Sequence, residues 1–173
     1  MSHWYMLTLV GEDRPGIVAK VTAALYQGGA NLGEAAMMRL GGNFAIMMMV
    51  RFEGRGRELE GLLEPVVDSL GLHLHVDRIE GHLHRHVIPD VRVTVFGADR
   101  AGIVAQVTGA LAEAGMNITD LQSDVGGSEA APVYIMTIEG QAQEGIEALE
   151  SALEIVAQEG IEVDIQPIET LIG

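Results

Sequence analysis

The octapeptide GEDRPGIV at residues 11–18 recurs 86 positions later as GADRAGIV at residues 97–104. Each copy follows an extended apolar run and precedes apolar residues at helical spacing, which predicts a strand-to-helix turn in both places. The same shift aligns residues 7–35 with residues 93–121, and fourteen of the 29 aligned pairs are identical. The sequence therefore predicts a duplicated domain, because a repeat of this length holds a whole small domain and not one unit of a solenoid.

Hydrophobic periodicity predicts the order strand, helix, strand, strand, helix, strand in each copy. In the first copy the predicted elements are a strand at 3–10, a helix from Ile17 to Gly28, strands at 31–40 and 44–52, a helix ending at Gly71 and a strand at 72–77. In the second copy the predicted strands are 89–97, 116–126, 132–139 and 161–168, and the predicted helices are 101–114 and 143–158. With right-handed crossovers this order gives an α+β, ferredoxin-like βαββαβ unit, a four-stranded antiparallel sheet with two helices on one face.

The predicted domains are residues 1–81 and 89–173, joined by a linker at 82–88 that contains histidines. Each domain is small and leaves one sheet face uncovered, so we expect units or chains to pair, most simply as a homodimer. His82, His84 and His86 alternate along the linker, and an extended backbone would place them on one side as a metal triad. The alternative is a solvated linker with a pH-sensitive charge, and the sequence predicts no metal among the site residues.

The formal charge of −15 is unevenly placed, with a net of −2 in residues 1–86 and −13 in residues 87–173. A nucleic-acid surface requires clustered Lys and Arg, so no direct nucleic-acid binding is expected. The acidic excess serves either solubility or contact with a basic protein partner. No apolar run is long enough to span a membrane, no basic signal-peptide region precedes the first strand, and cysteine is absent, so the expected location is the cytoplasm.

The repeated turn presents backbone N–H groups at the positive end of a helix dipole, which suits a carboxylate. Gly16 and Gly102 would let a ligand approach the backbone closely, or they serve only turn geometry and packing. Asp13 and Asp99 would hold an α-ammonium group, or they act only as helix N-caps. The sequence leaves both alternatives open.

Two further pairs of polar residues accompany the turns. Arg14 and Arg100 would clamp a carboxylate, or they are simply solvated. Asn31 and Asn117 offer a donor and an acceptor, or they adopt left-handed turn geometry after the helix. No nucleophile elbow, phosphate loop or zinc-protease motif is present, so neither an enzyme nor a cofactor is predicted.

The turns, the downstream segments GANL at 29–32 and GMNI at 115–118, and the βαββαβ order together resemble the ACT regulatory domain. Two copies with no enzyme domain are similar to the glycine cleavage system transcriptional repressor family, and the first copy also resembles the N-terminal domain of formyltetrahydrofolate deformylases. The resemblance implies that an amino acid binds where domains meet, between the turn and the start of the second strand. Serine-binding members carry His and Asn where this chain has Gly11 and Asp13, so their ligand preference does not transfer.

The resemblance implies an amino-acid-sensing regulatory protein that acts through protein–protein contact. The implied effector is a small amino acid such as glycine or serine, and the implied partner is a protein such as a DNA-binding transcription factor. The alternatives are a ligand-free dimerisation scaffold and a metal-binding protein that uses the linker histidines. The predicted ligand-binding residues are Gly11, Glu12, Asp13, Arg14, Gly16, Ile17 and Asn31 in the first copy, and Gly97, Asp99, Arg100, Gly102, Ile103 and Asn117 in the second.

Overall fold

A computed structural model of the chain describes residues 1–80, 87–98 and 102–169. Two compact units, Met1–His84 and Arg85–Gly173, make up the chain. Each unit has the predicted βαββαβ order and forms a four-stranded antiparallel sheet with two helices. The predicted α+β fold class is therefore confirmed. The limits of the predicted linker stay a prediction, because residues 81–86 lie outside the described part of the chain.

The first unit has the strand order β2-β3-β1-β4. Its elements are β1 His3–Glu12, α1 Ile17–Gln27, β2 Asn31–Leu40, β3 Asn43–Phe52, α2 Gly56–Leu70 and β4 His73–Arg78. The predicted central position of the apolar strand from Phe44 to Phe52 is confirmed, since β3 pairs with both β1 and β2. The edge strand β2 is exposed at all ten of its residues.

The second unit repeats this topology with the strand order β6-β7-β5-β8. Its elements are β5 Val91–Ala98, α3 Ile103–Glu113, β6 Met116–Ser128, β7 Ala131–Ala142, α4 Ile146–Ala157 and β8 Glu162–Pro167. The hairpin between β6 and β7 is longer than its counterpart in the first unit, and both edge strands carry one bulge near their start. Because β2 and β6 have a bulge at corresponding positions, the residues that follow it can be compared one by one between the two sheets.

Each unit has its own hydrophobic core between the sheet and the two helices. On β1, Tyr5, Leu7 and Leu9 alternate with less buried residues, as expected for a strand with one buried face. The core of the first unit is completed by the helical stripes Ile17, Val21, Leu25 and Leu59, Leu63, Leu70. In the second unit the corresponding residues are Val91, Val93, Val95, Ile103, Val107, Leu111, Leu149, Leu153 and Val156. Burial of each such side chain contributes about 1.5–3 kcal/mol to folding, and this places most of the stability of each unit in its own core.

The strand before the first turn is longer than predicted. β1 continues past Val10, and Gly11 and Glu12 pair with Phe44 and Asn43 on β3. The backbone N–H of Asp13 then donates to the carbonyl of Gly42 at 3.0 Å. Pairing with β3 thus keeps the first two residues of the octapeptide in β1, and the turn itself is only the four residues from Asp13 to Gly16.

Candidate functional site

The first turn ends at Gly16, which is the N-cap of α1 and has φ +85°, in the left-handed region. An added Cβ at this position meets no atom within 4 Å, so the dihedral angle and not the space requires glycine. No side chain caps this helix, and the alternative role of Asp13 as an N-cap is therefore wrong. Gly102 has the same role and geometry at the start of α3, with φ +88°.

Asp13 instead forms an ion pair with Arg39, which lies near the end of β2. A guanidinium nitrogen of Arg39 lies 2.5 Å from a carboxylate oxygen of Asp13. The Asp13 side chain is 23% exposed and that of Arg39 67% exposed, so the pair lies at the mouth of a concave surface with the acid as its inner member. Arg39 was not among the residues predicted for the site.

The signal that could have found Arg39 is the hairpin. Arg39 pairs with Phe44 on β3, and Phe44 pairs with Gly11 on β1. A tight turn at Gly41 and Gly42 therefore brings the end of β2 to the level of the octapeptide. Counting residues back from that turn would have placed Arg39 beside it.

An open cleft of about 550 Å³ lies between the turn, the first turn of α1 and the end of β2. This volume falls in the range of about 300–1,000 Å³ that is common for small-ligand sites. The first N–H groups of an α-helix have no partner within the helix, and residues 16–19 line the cleft. The remaining lining residues are Asp13, Arg14, Pro15, Met37, Arg39 and Phe44.

Arg14 is directed to its own neighbour on the turn. Its guanidinium donates a hydrogen bond to the Glu12 carboxylate at 2.8 Å. This hydrogen bond, together with the positive charge of Arg14, holds the pKa of Glu12 below its usual value. Both side chains are largely exposed, so the pair adds charge at the rim of the cleft.

Several predicted residues of the turn serve packing. A Cβ on Gly11 would lie 2.6 Å from Cδ2 of Leu72 and 3.3 Å from the carbonyl oxygen of Gly71, so this glycine permits close contact between β1 and the start of β4. Ile17 and Ile103 are each 2% exposed and belong to the two cores. Their side chains are therefore unavailable to a ligand, and only their backbone amides keep the predicted role.

Asn31 lies far from the turn of its own unit. It pairs with Arg51 at the start of β2, and Arg39 follows eight residues later. At about 3.3 Å per residue the separation is about 26 Å. Asn31 and Asn117 are strand residues, and positive φ in the described part of the chain is confined to glycines, so the alternative of left-handed geometry at these residues is wrong. Asn31 therefore does not reach the cleft of its own unit, and its predicted role in ligand binding stays a prediction.

Comparison with known protein families gives a match in each unit. Residues 3–77 match an ACT domain profile, and residues 91–163 match a second profile that is also described as ACT domain. The chain belongs to the ACT domain family. The two units are thus tandem ACT domains, as the sequence predicted.

The chain is also similar to other proteins in sequence and in structure. The chain is 32% identical over 85 residues to a UPF0237 protein of Methanococcus maripaludis, a match that covers 46% of this chain and 94% of that protein. An unknown protein from Galdieria sulphuraria has a similar structure, with a TM-score of 0.80 and 25% identity over 98% of this chain and 100% of that one. A structure provisionally named a glycine cleavage system transcriptional repressor superimposes with a TM-score of 0.73 and 19% identity, covering 98% of this chain and 99% of that one. At that identity the likeness shows the fold alone.

The second ACT domain differs from the first at the position of the unpredicted arginine. Val125 on β6 pairs with Tyr134, and Tyr134 pairs with Gly97. Val125 therefore has the place that Arg39 has in the first ACT domain, and its side chain is exposed. Asp99 and Arg100 lie outside the described residues, so the charges on the second turn are known only from the sequence.

The described residues also bear on metal binding and on membrane insertion. Among the described residues, no group of three or more His, Asp or Glu side chains is arranged to hold a metal ion. His82, His84 and His86 lie outside these residues, and their role stays a prediction. Within the same part of the chain, each helix falls short of the length and hydrophobicity that a membrane crossing requires.

Proposed function

We propose that the chain is a regulatory, non-catalytic protein that senses a small amino acid and acts through contact with another protein. The sensing site is the cleft of the first ACT domain, between the octapeptide turn and β2. The observation that carries this proposal is the Asp13–Arg39 pair beside the open first turn of α1. An α-amino acid has one ammonium and one carboxylate, and this cleft offers one carboxylate, one guanidinium and helix N–H groups to match them.

In this proposal the ligand opens the existing ion pair and takes both of its partners. The ammonium is held by Asp13, and the carboxylate by Arg39 together with the N–H groups of residues 17–19. The existing ion pair is partly exposed to solvent and contributes only about 0–1 kcal/mol, so a ligand that replaces it with charge-assisted hydrogen bonds to both partners loses little by opening it.

In this proposal a second copy of the chain contributes Asn31 to the site. Because Asn31 lies about 26 Å from the cleft in its own domain, it would meet a bound ligand only at the cleft of another ACT domain. The fully exposed edge strand β2, which carries Met37, Met38 and Leu40, supports pairing of chains as a homodimer. Ligand binding at such a junction would change the balance between two arrangements of the domains, which a partner protein such as a transcription factor could recognise.

Titration calorimetry with glycine, serine and the other common amino acids tests the proposal. We expect one of them to bind, and Asp13→Asn or Arg39→Gln to weaken its binding at least about tenfold, equivalent to about 1.4 kcal/mol. Arg57→Gln is the matched control, because Arg57 is exposed on α2 and lies outside the cleft. Binding of no amino acid, or equal binding by Arg39→Gln and Arg57→Gln, would contradict the proposed site.

A ligand-free scaffold is the second candidate, and one observation favours it. Asp13 and Arg39 form an ion pair with each other, so each charge already has a partner within the protein. A scaffold would give no heat with any amino acid, yet it would still form dimers. Because both candidates form dimers, the heat of titration distinguishes them, and the mass in solution checks that the dimer is present.

A further inference from the structure

We propose that the groove between α3 and α4 of the second ACT domain is a docking site for a basic amphipathic helix of a partner protein. The inference deepens the proposed function, because it rests on the expectation that this chain acts by protein contact and names the surface and the chemistry of that contact. It does not depend on which amino acid binds, or on whether one binds at the first turn.

The groove has a volume of about 500 Å³ and a floor of small residues, Gly109, Ala110, Ala114 and Ala152. An added Cβ on Gly109 meets nothing within 4 Å, so the space above this glycine is open. Ile155 stands at the edge of the groove with 70% of its surface exposed, although its neighbour Val156 is buried in the core. A small-residue floor beside an exposed aliphatic side chain is the kind of surface into which a helix can pack closely.

The first ACT domain provides an internal comparison, because its two helices align with α3 and α4. The buried pairs Leu59/Leu149 and Leu63/Leu153 fix the alignment of α2 with α4. On that alignment Leu62 of the first domain corresponds to Ala152 of the second.

Leu62 closes the corresponding groove in the first domain. Its Cδ1 lies 1.7 Å from where a Cβ on Gly28 would be, so the leucine occupies the space above that glycine. In the second domain the same two positions are Ala152 and Ala114. The replacement of a leucine and a glycine by two alanines removes side-chain volume between the helices and leaves the groove open.

The residues around the groove are also less basic and more acidic in the second domain than their counterparts in the first. Aligned positions change from Lys20 to Gln106, from Gln27 to Glu113 and from Ser69 to Glu159. All three of the second-domain residues line the groove. Glu113 and Glu159 are thus the acids of the groove itself, whereas Glu150 and Glu154 lie on the side of α4 that faces β8. No Lys or Arg follows Arg100 anywhere in the chain. The occupant must therefore be basic.

These features favour a partner helix over the other occupants. Nucleic acid is repelled by the acidic rim. A second copy of this chain is a poor match, because none of its four described helices carries more than one Lys or Arg, namely Lys20 on α1 and Arg57 on α2. A helix with apolar residues at i, i+3, i+4 and i+7 and with basic residues elsewhere would contact Ile155 and the alanine floor while its cations face the acidic rim.

The test uses the full chain and a fluorescein-labelled helical peptide of about 18 residues, built from leucines at that spacing with arginine and alanine elsewhere. Binding is followed by fluorescence anisotropy at about 0.15 M salt, where long-range surface attraction is largely screened. We expect saturable binding that weakens at least about tenfold in Ile155→Ser and in Gly109→Leu. Gly109→Leu fills the groove from its floor, and Ile155→Ser removes an exposed side chain, so circular dichroism should show both variants folded.

Two controls make the result decisive. Tyr26→Ser removes another large, highly exposed hydrophobic side chain, from α1 of the first domain, and this variant should bind the peptide as the unchanged protein does. A peptide of the same composition with its leucines scrambled should bind at least about tenfold more weakly. Absence of peptide binding, equal binding by the groove variants, or equal binding of the scrambled peptide would overturn the docking site. None of these outcomes bears on the amino-acid titration, so the two proposals fail separately.

Discussion

At the scale of single residues, charged side chains near the first turn form two ion pairs with different positions. Asp13–Arg39 joins the turn to β2 at the mouth of the cleft, whereas Glu12–Arg14 joins two turn residues at its exposed rim. The first pair joins elements that are distant in sequence, so a ligand that binds between Asp13 and Arg39 would separate the pair. The second pair is local and should remain closed when the cleft is occupied.

The local pair gives a prediction on the titration of Glu12. Because Arg14 lowers the pKa of Glu12, the pair is complete above the ordinary carboxyl pKa and is lost as the pH falls through the lowered value. We expect Arg14→Gln to raise the pKa of Glu12 toward its ordinary value, as measured by NMR titration of the side-chain carboxyl carbon. Arg57→Gln should leave that pKa unchanged, and an unchanged pKa in Arg14→Gln would show that the ion pair does not form in solution.

Two residues of the site have contacts that sequence patterns alone do not predict. Asp13 is a residue type that is common at N-caps, but the N-cap of α1 lies three residues later, at Gly16, whose left-handed backbone angle ends the turn. Local sequence patterns do not predict the role of Arg39, because its partner Asp13 is 26 positions away in sequence. Only the register of the β2–β3 hairpin brings the two residues together. Which side chains face each other across a sheet depends on the register of the strands. The two glycines predict a hairpin, but the register follows only when the exact turn residues are known.

At the scale of elements, the βαββαβ order was predictable because the core stripes are regular. Ile17, Val21 and Leu25 repeat at helical spacing and all lie in the core. The observed ends of the elements differ from the predicted ends where long-range pairing overrides local preference. Gly11 and Glu12 are an example, because their pairing with β3 keeps them in β1. Within one domain the start of β2 lies far from the turn, because β2 runs its full length away from Asn31 before it reaches the cleft. The predicted role of Asn31 at a junction of domains stays a prediction.

The two first strands differ in how closely they pack against the following elements, which gives a matched prediction. Gly11→Ala should destabilise the first ACT domain by about 1–3 kcal/mol, because its Cβ would meet Leu72 and the backbone at Gly71. The equivalent Gly97→Ala should change stability by less than about 1 kcal/mol, since the nearest atom to its Cβ is 3.7 Å away.

Urea denaturation measures both effects. Fluorescence of Trp4, the one tryptophan of the chain, reports on the first domain, and far-ultraviolet circular dichroism reports on both. Equal losses of stability in the two variants would contradict the difference in packing.

At the scale of the whole molecule, the duplicated domains have diverged in complementary ways. The first retains the basic residues, including Arg39 at the cleft, and closes its helix groove with Leu62. The second has Val125 at the corresponding strand position, opens its groove and carries nearly all of the excess negative charge. In the proposals above, the first domain binds the amino acid and the second binds the partner.

This division predicts the stoichiometry of amino-acid binding. Because Val125 cannot hold a carboxylate, we expect calorimetry to give one equivalent of amino acid per chain. The variant Arg39→Gln should bind weakly, and no second set of sites should remain. Two equivalents of equal affinity per chain would show that the second turn binds without the arginine.

The valine at position 125 also constrains how such a sensor could respond to dose. A polypeptide with a single receptor site has a hyperbolic saturation curve, since no second ligand on the same molecule exists to couple with the first. A Hill coefficient above one would therefore originate in the assembly of chains, and dilution to free protomers would return it to one. Steepness of the response would then be set by the concentration of the protein as well as by that of the amino acid.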